Sequence, residues 1–92
     1  MHPSMTCVIR GKRYSTETAT LLAHDRENSW RNAALFRTPR GNYFVVSGAS
    51  RPSGQDILEP ISEAIARDLY DAFPVHAVSW EQAFPHVVVE DA

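Results

Sequence analysis

The chain has 92 residues, 43% of them hydrophobic and 22% charged, and its formal net charge is −2. This length suits a single domain, residues 1–92, and the composition is that of a globular protein rather than a disordered or fibrous one. A single cysteine excludes an internal disulfide and a multi-cysteine zinc site. No apolar run is long enough to span a membrane, and we expect a cytoplasmic protein.

The N-terminal third predicts a strand, a helix and a loop. Residues 6–10 predict a short strand, with Cys7 and Ile9 on one face and Thr6, Val8 and Arg10 on the other. Ser15 or Thr16 provides the N-cap of a short helix that runs toward Ala23. Residues 24–32 are polar without helical periodicity and predict a loop.

A β-hairpin is the clearest local signal in the chain. Residues 33–38 and 43–47 are strand-like runs, and the turn between them contains Pro39 and Gly41. Proline presets φ at the second turn position, and glycine accepts the positive φ that closes a bulged hairpin. Residues 47–56 are rich in Ser, Gly and Pro and predict a second loop.

Two helices are predicted in the C-terminal half. The main helix is capped by Ser62 and ends at Phe73, because Pro74 cannot continue it. A shorter helix begins with the capping-box spacing of residues 79–82 and stops at Pro85. Three short extended segments complete the prediction: residues 57–58, 75–78 and 87–89.

These elements predict an α+β fold, in which one main helix packs across a small antiparallel sheet with short flanking helical turns. At 100° per residue, the main helix has an apolar side and a polar side. The apolar side consists of Ile61, Ile65, Leu69, Ala72 and Phe73. The polar side consists of Glu63, Arg67, Tyr70 and Asp71, with Asp68 on its flank.

The polar side of the main helix is the first candidate site, for binding a partner protein. A tyrosine among charged residues is unusual on a solvated face, and aromatic residues with a polar tip are enriched at interface centres. The acidic residues around Tyr70 suit a basic partner. In the alternative interpretation, Tyr70 is a structural residue that packs over the sheet edge or over the turn at Trp80.

The arginines around the hairpin are the second candidate site, for binding nucleic acid. Arg37 and Arg40 flank a hairpin that is rich in aromatic residues, and Arg51 follows in the next loop. Arginine beside aromatic residues on a sheet is typical of single-strand binders. The alternative is that these rings form the core of a very small domain.

The charge is distributed unevenly along the chain. Residues 1–51 contain eight basic and three acidic residues, whereas residues 52–92 contain one basic and eight acidic residues. This polarity is compatible with a binding face, or with a structural homodimer closed by basic-to-acidic contacts. It is equally compatible with neutralisation between the two halves of one folded domain.

The residue pattern does not favour an enzyme. Cys7 lies within the first predicted strand, where we expect it to be a small buried hydrophobe. The four histidines are scattered without a His-x-x-x-His pair, and the chain contains no G-x-S-x-G elbow and no Walker or dinucleotide-binding motif. We therefore expect no catalytic residues, no cofactor and no metal.

Three segments carry a resemblance: residues 11–19, GKRYSTETA; residues 35–44, LFRTPRGNYF; and residues 58–62. The first two are similar to the GKRYDTETA opening and the LYRT..GNYF hairpin of a family of short, uncharacterised proteins of bacteria, phages and other mobile elements. Residues 58–62 resemble the start of its helix. The resemblance implies a non-enzymatic, protein-binding accessory protein, such as an inhibitor of a nucleic-acid-handling host defence complex. A nucleic-acid-binding module and a structural homodimer are the alternatives.

Overall fold

The computed structural model describes residues 5–25, 33–47 and 57–91, and within these ranges the chain forms seven strands and two helices. The strands are β1 (Thr6–Ile9), β2 (Lys12–Ser15), β3 (Thr20–His24), β4 (Ala33–Arg37), β5 (Tyr43–Ser47), β6 (Ile57–Ile61) and β7 (Val75–His76). The helices are α1 (Glu63–Ala72) and α2 (Trp80–Ala83). Most of both predicted loops, residues 26–32 and residues 48–56 with Arg51, lies outside the described residues.

Two antiparallel sheets form the fold. β1 and β2 form a separate hairpin, and the other five strands form one sheet in the order β6-β5-β4-β3-β7. The predicted α+β class is confirmed in its coarse form, because the described chain is rich in strands and has one main helix.

The five-stranded sheet is covered on both faces. Leu35 and Tyr43 point to one face, where they form a core with residues of α1 and α2. Phe36 and Phe44 point to the other face, where Tyr14 of the β1–β2 hairpin packs against them. The alternation along the central hairpin thus separates two cores, one under the helices and one under the β1–β2 hairpin.

The helix predicted to run toward Ala23 is wrong, because this segment is a turn followed by β3. β3 pairs with β4 on one side and with β7 on the other. Its register shifts between Leu21 and Ala23, so that Leu22 and Ala23 both enter the core beneath the helices. Strand pairing on both sides overrides the helix propensity of leucine and alanine, and the irregularity hides the alternation that identifies a strand.

The hairpin predicted around Gly41 is confirmed. β4 pairs with β5 along its whole length, from Ala33 opposite Ser47 to Arg37 opposite Tyr43. Gly41 has φ +87°, which is the left-handed conformation that its position in the turn requires.

The β1–β2 hairpin contains a strand that the sequence analysis missed. The predicted strand over residues 6–10 is confirmed as β1 up to Ile9, and its partner β2 begins at Lys12. The two residues between them, Arg10 and Gly11, have φ values of +53° and +77°. Positive φ at both positions is the pattern of a type I′ turn, which joins antiparallel strands with two residues.

The predicted C-terminal strand over residues 87–89 is wrong. Valine favours strands, but this segment is not a strand and Val88 is 84% exposed. The predicted strand over residues 57–58 is longer than expected, since β6 continues through Pro60 to Ile61. β6 is an edge strand of the sheet, where a missing backbone N–H is tolerated.

Helix α1 has the predicted N-cap, but its buried side only partly matches the predicted one. The Ser62 side chain accepts a hydrogen bond from the Ile65 backbone N–H at 3.2 Å, as predicted. The buried residues of the helix, however, are Ala66 and Tyr70, while Ile65 is 50% exposed. Ile61, Leu69 and Phe73 of the predicted apolar side still pack against the core, so the buried side overlaps the predicted one and is displaced from it toward Ala66 and Tyr70.

Candidate functional site

The residues predicted to form the partner-binding face of α1 differ in their exposure to solvent. Glu63, Arg67, Asp68 and Asp71 are exposed, as expected. Tyr70 is only 4% exposed and does not project beside them into solvent, so the alternative interpretation, in which it packs over the turn at Trp80, is confirmed. The exposed side of α1 therefore does not include the tyrosine that made the predicted face a candidate interface.

Tyr70 is held in the core by an aromatic cluster. Its ring stacks on that of His76 with centroids 3.9 Å apart, and it packs edge-on against Trp80 and Phe84 at 5.7 Å. Its hydroxyl donates a hydrogen bond to the Val78 carbonyl oxygen at 2.7 Å, which allows this polar tip to be buried. Burial, and to a smaller extent nearby acidic residues, raise the pKa of the Tyr70 phenol.

The structure describes two of the three arginines predicted to bind nucleic acid, and these two have different surroundings. Arg37 extends to α2, where it donates a hydrogen bond to the Gln82 carbonyl oxygen at 3.1 Å. Arg40 is exposed at the tip of the β4–β5 hairpin, and Arg51 lies outside the described residues. The aromatic rings of this hairpin, including Phe36 and Phe44, are buried rather than open to bases.

The structure instead forms a basic groove where the tips of two hairpins meet. The groove has a volume of about 830 Å³. Its lining consists of Gly11, Lys12, Arg13, Tyr14, Thr38, Pro39, Arg40 and Asn42. Lys12, Arg13 and Arg40 are all exposed, and among the described residues no acidic side chain lines the groove.

A second hollow adjoins this groove and extends its basic surface. It has a volume of about 290 Å³ and shares Lys12 and Tyr14 with the groove, while Arg10 lies on its far side. We refer to the four exposed basic residues Arg10, Lys12, Arg13 and Arg40 as the hairpin-tip surface. Their side chains supply guanidinium and ammonium groups, which bind phosphate and carboxylate oxygens.

The backbone conformation of Arg10 is a second unusual feature of the hairpin-tip surface. Among the described residues, Arg10 is the only one other than glycine that has a positive φ. An L-residue with a long side chain in this region carries a strain of about 1–3 kcal/mol, and asparagine or glycine fills the same turn position at lower cost. A strained backbone at an arginine that lies next to other basic residues favours a role for its side chain in binding.

The hairpin-tip surface does not follow from the elements predicted from the sequence, because these do not include β2. The available signal was the segment Arg10-Gly11-Lys12-Arg13, in which three of four consecutive residues are basic. Arg40 joins them only through the tertiary fold, since 27 residues separate it from Arg13 in the sequence.

Other kinds of site have less support in the described parts of the chain. No group of three His, Cys, Asp or Glu side chains there is arranged to hold a metal ion. No described helix is long and apolar enough to cross a membrane.

No protein-family model, curated protein or solved structure matches the chain. The resemblance to a mobile-element family therefore stays a prediction, as does the structural homodimer closed by basic-to-acidic contacts.

Proposed function

We propose that this protein is a non-enzymatic, cytoplasmic binding protein that holds the phosphate backbone of a nucleic acid on its hairpin-tip surface. The observation that carries the proposal is the convergence of Lys12, Arg13 and Arg40, from two different hairpins, on one groove without a described acidic neighbour. Arg10 extends the same surface on the other side of Lys12.

The net charge of −2 does not oppose this proposal. The exposed acidic residues of α1 lie in the helix layer, and that layer and the β1–β2 hairpin cover opposite faces of the sheet. At physiological salt, charges separated by more than about 8 Å are largely screened. A nucleic acid at the hairpin tips therefore encounters the local basic surface more strongly than the net charge.

The salt dependence of binding tests the proposal. Binding of a 20-base-pair duplex, followed by fluorescence anisotropy, should weaken with salt with a log–log slope of about −3.6 if four phosphates are contacted. Arg40→Gln should make the slope shallower by about 0.9, because one counterion-releasing contact is lost. The matched control is Arg67→Gln, which removes an exposed arginine outside the groove and should leave the slope unchanged.

A variant at Arg10 separates a binding role from a structural one. Arg10→Asn should raise the melting temperature, because asparagine accepts the left-handed turn conformation more readily, and should weaken duplex binding. Equal loss of affinity in Arg40→Gln and Arg67→Gln, or unchanged affinity in Arg10→Asn, would contradict the proposal.

Protein binding by the exposed side of α1 is a second candidate function. The observation that favours it is Ile65, an apolar side chain that is 50% exposed one turn from the exposed carboxylate of Asp68. An apolar residue beside acidic residues suits a basic partner. This is the surface that an inhibitor of a host nucleic-acid-handling complex, the function implied by the mobile-element resemblance, would use.

Affinity capture from a nuclease-treated bacterial lysate tests the second function. Ile65→Asp should abolish retention of a partner protein, because it places a charge at the centre of the contact. Val8→Asp is the control, since Val8 is 64% exposed and lies in β1, which packs on the opposite face of the sheet from α1. Retention of the same protein by both variants would count against α1 as the binding surface.

A further inference from the structure

We infer that the hairpin-tip surface binds the backbone of double-stranded nucleic acid in preference to a single strand. This inference rests on the proposed phosphate-binding function. The inference goes beyond that function by naming the form of nucleic acid. It also differs from the expectation drawn from the sequence, in which a hairpin with arginine and aromatic residues is typical of single-strand binders.

The aromatic rings nearest the groove are already used in the core. Phe36 and Phe44 stack on each other with centroids 5.1 Å apart and ring planes 6° apart. Tyr14 lines the groove, but it packs edge-on against Phe44 at 5.7 Å and is only 7% exposed. Single-strand binders gain about 1–3 kcal/mol for each base that stacks on an open aromatic face. These three rings would have to leave the core before they could contribute that energy.

The basic residues themselves are carried on firmly held backbone. Lys12 and Arg13 lie in β2, which pairs with Ile9 and Val8 of β1. Arg40 lies in a turn that is closed by two backbone hydrogen bonds: Thr38 N–H to the Asn42 oxygen at 2.7 Å, and Gly41 N–H to the Thr38 oxygen at 2.9 Å. The backbone from which these exposed, flexible side chains extend is therefore well ordered, so that binding has to order only the side chains themselves.

A ligand whose phosphates are already held in fixed positions suits this surface, because the ligand then loses little conformational freedom on binding. A duplex presents one negative charge per 1.7 Å of its axis, about twice the density of either strand alone. A single strand must in addition lose conformational freedom when it binds, and the described rings at the groove, Tyr14, Phe36 and Phe44, are too deeply buried to offset that cost by stacking. Both effects favour the duplex.

Direct comparison of the two forms of nucleic acid tests the inference. The full chain is titrated at low salt against a labelled 20-base-pair duplex, against one of its strands, and against oligo-dT of equal length. We expect the duplex to bind about tenfold more tightly than either single strand, and Arg40→Gln to reduce that difference. Sodium polyphosphate of equal total charge should compete with the duplex less well than unlabelled duplex does.

The outcomes distinguish this inference from the function on which it rests. Equal or tighter binding of a single strand, or equal competition by polyphosphate, would overturn the preference for a duplex and leave phosphate binding in place. Failure to bind any of the three nucleic acids at low salt would overturn the proposed function itself.

Discussion

Tyr70→Ala is expected to lower the free energy of unfolding by about 3–5 kcal/mol, the usual cost of truncating a large buried aromatic ring. The ring is 4% exposed and contacts the rings of His76, Trp80 and Phe84. Its loss leaves a cavity beneath α1 and removes a hydrogen bond to the Val78 carbonyl oxygen. Small domains are stable by only about 5–15 kcal/mol, so the effect is large. Urea denaturation measures it.

Tyr70→Phe is the matched control, because it keeps the ring and removes only the hydroxyl. We expect it to cost about 1 kcal/mol, the net value of one buried hydrogen bond. If Tyr70→Ala left stability unchanged and weakened the binding of a partner protein, Tyr70 would be an interface residue, as its position among charged residues suggested from the sequence.

Local chemistry explains which elements could be predicted from the sequence. The cap at Ser62 and the capping box between Ser79 and Gln82 depend on hydrogen bonds that span three residues, and both are present. The turn at Gly41 likewise depends on one backbone conformation. Such features are readable because all the atoms involved belong to neighbouring residues.

The elements that the sequence did not predict depend on distant partners. β3 is a strand because β4 and β7 pair with it, although its own residues are compatible with a helix. Helix α1 turns Ala66 rather than Ile65 to the core, because Tyr70, one turn further on, finds a partner for its hydroxyl at Val78. Neither outcome follows from periodicity, since both depend on what the rest of the chain provides.

The candidate site could likewise be predicted only in part from the sequence, because it too depends on residues that are distant in the chain. The basic segment containing Arg10 and Lys12 is evident in the sequence, but its meeting with Arg40 requires the β1–β2 hairpin to pack on the sheet. The contact of Tyr14 with Phe44 is part of that packing, to which Cys7 and Ile9 of β1 also contribute. The hairpin-tip surface is therefore a consequence of the second core, and its integrity should depend on the residues of that core.

Phe44→Ala is expected to destabilise the protein by about 3–5 kcal/mol and to disrupt the hairpin-tip surface as well. Phe44 is fully buried, stacks on Phe36 and supports the edge of the Tyr14 ring. Without it, the β1–β2 hairpin loses the contact that holds its basic tip beside Arg40. Thermal unfolding measures the loss of stability, and hydrogen exchange should show reduced protection of the β1 and β2 amides in particular.

The functional consequence of Phe44→Ala is measured at a temperature at which the variant is still folded. There, duplex affinity should fall even though every basic residue is present, because the two hairpin tips are no longer held together. Val88→Ala is the control, because Val88 is 84% exposed. We expect this truncation to change the free energy of unfolding by less than about 0.5 kcal/mol and to leave the affinity for duplex unchanged. Unchanged duplex binding by folded Phe44→Ala would mean that each hairpin tip binds independently and that the groove between them does not act as one site.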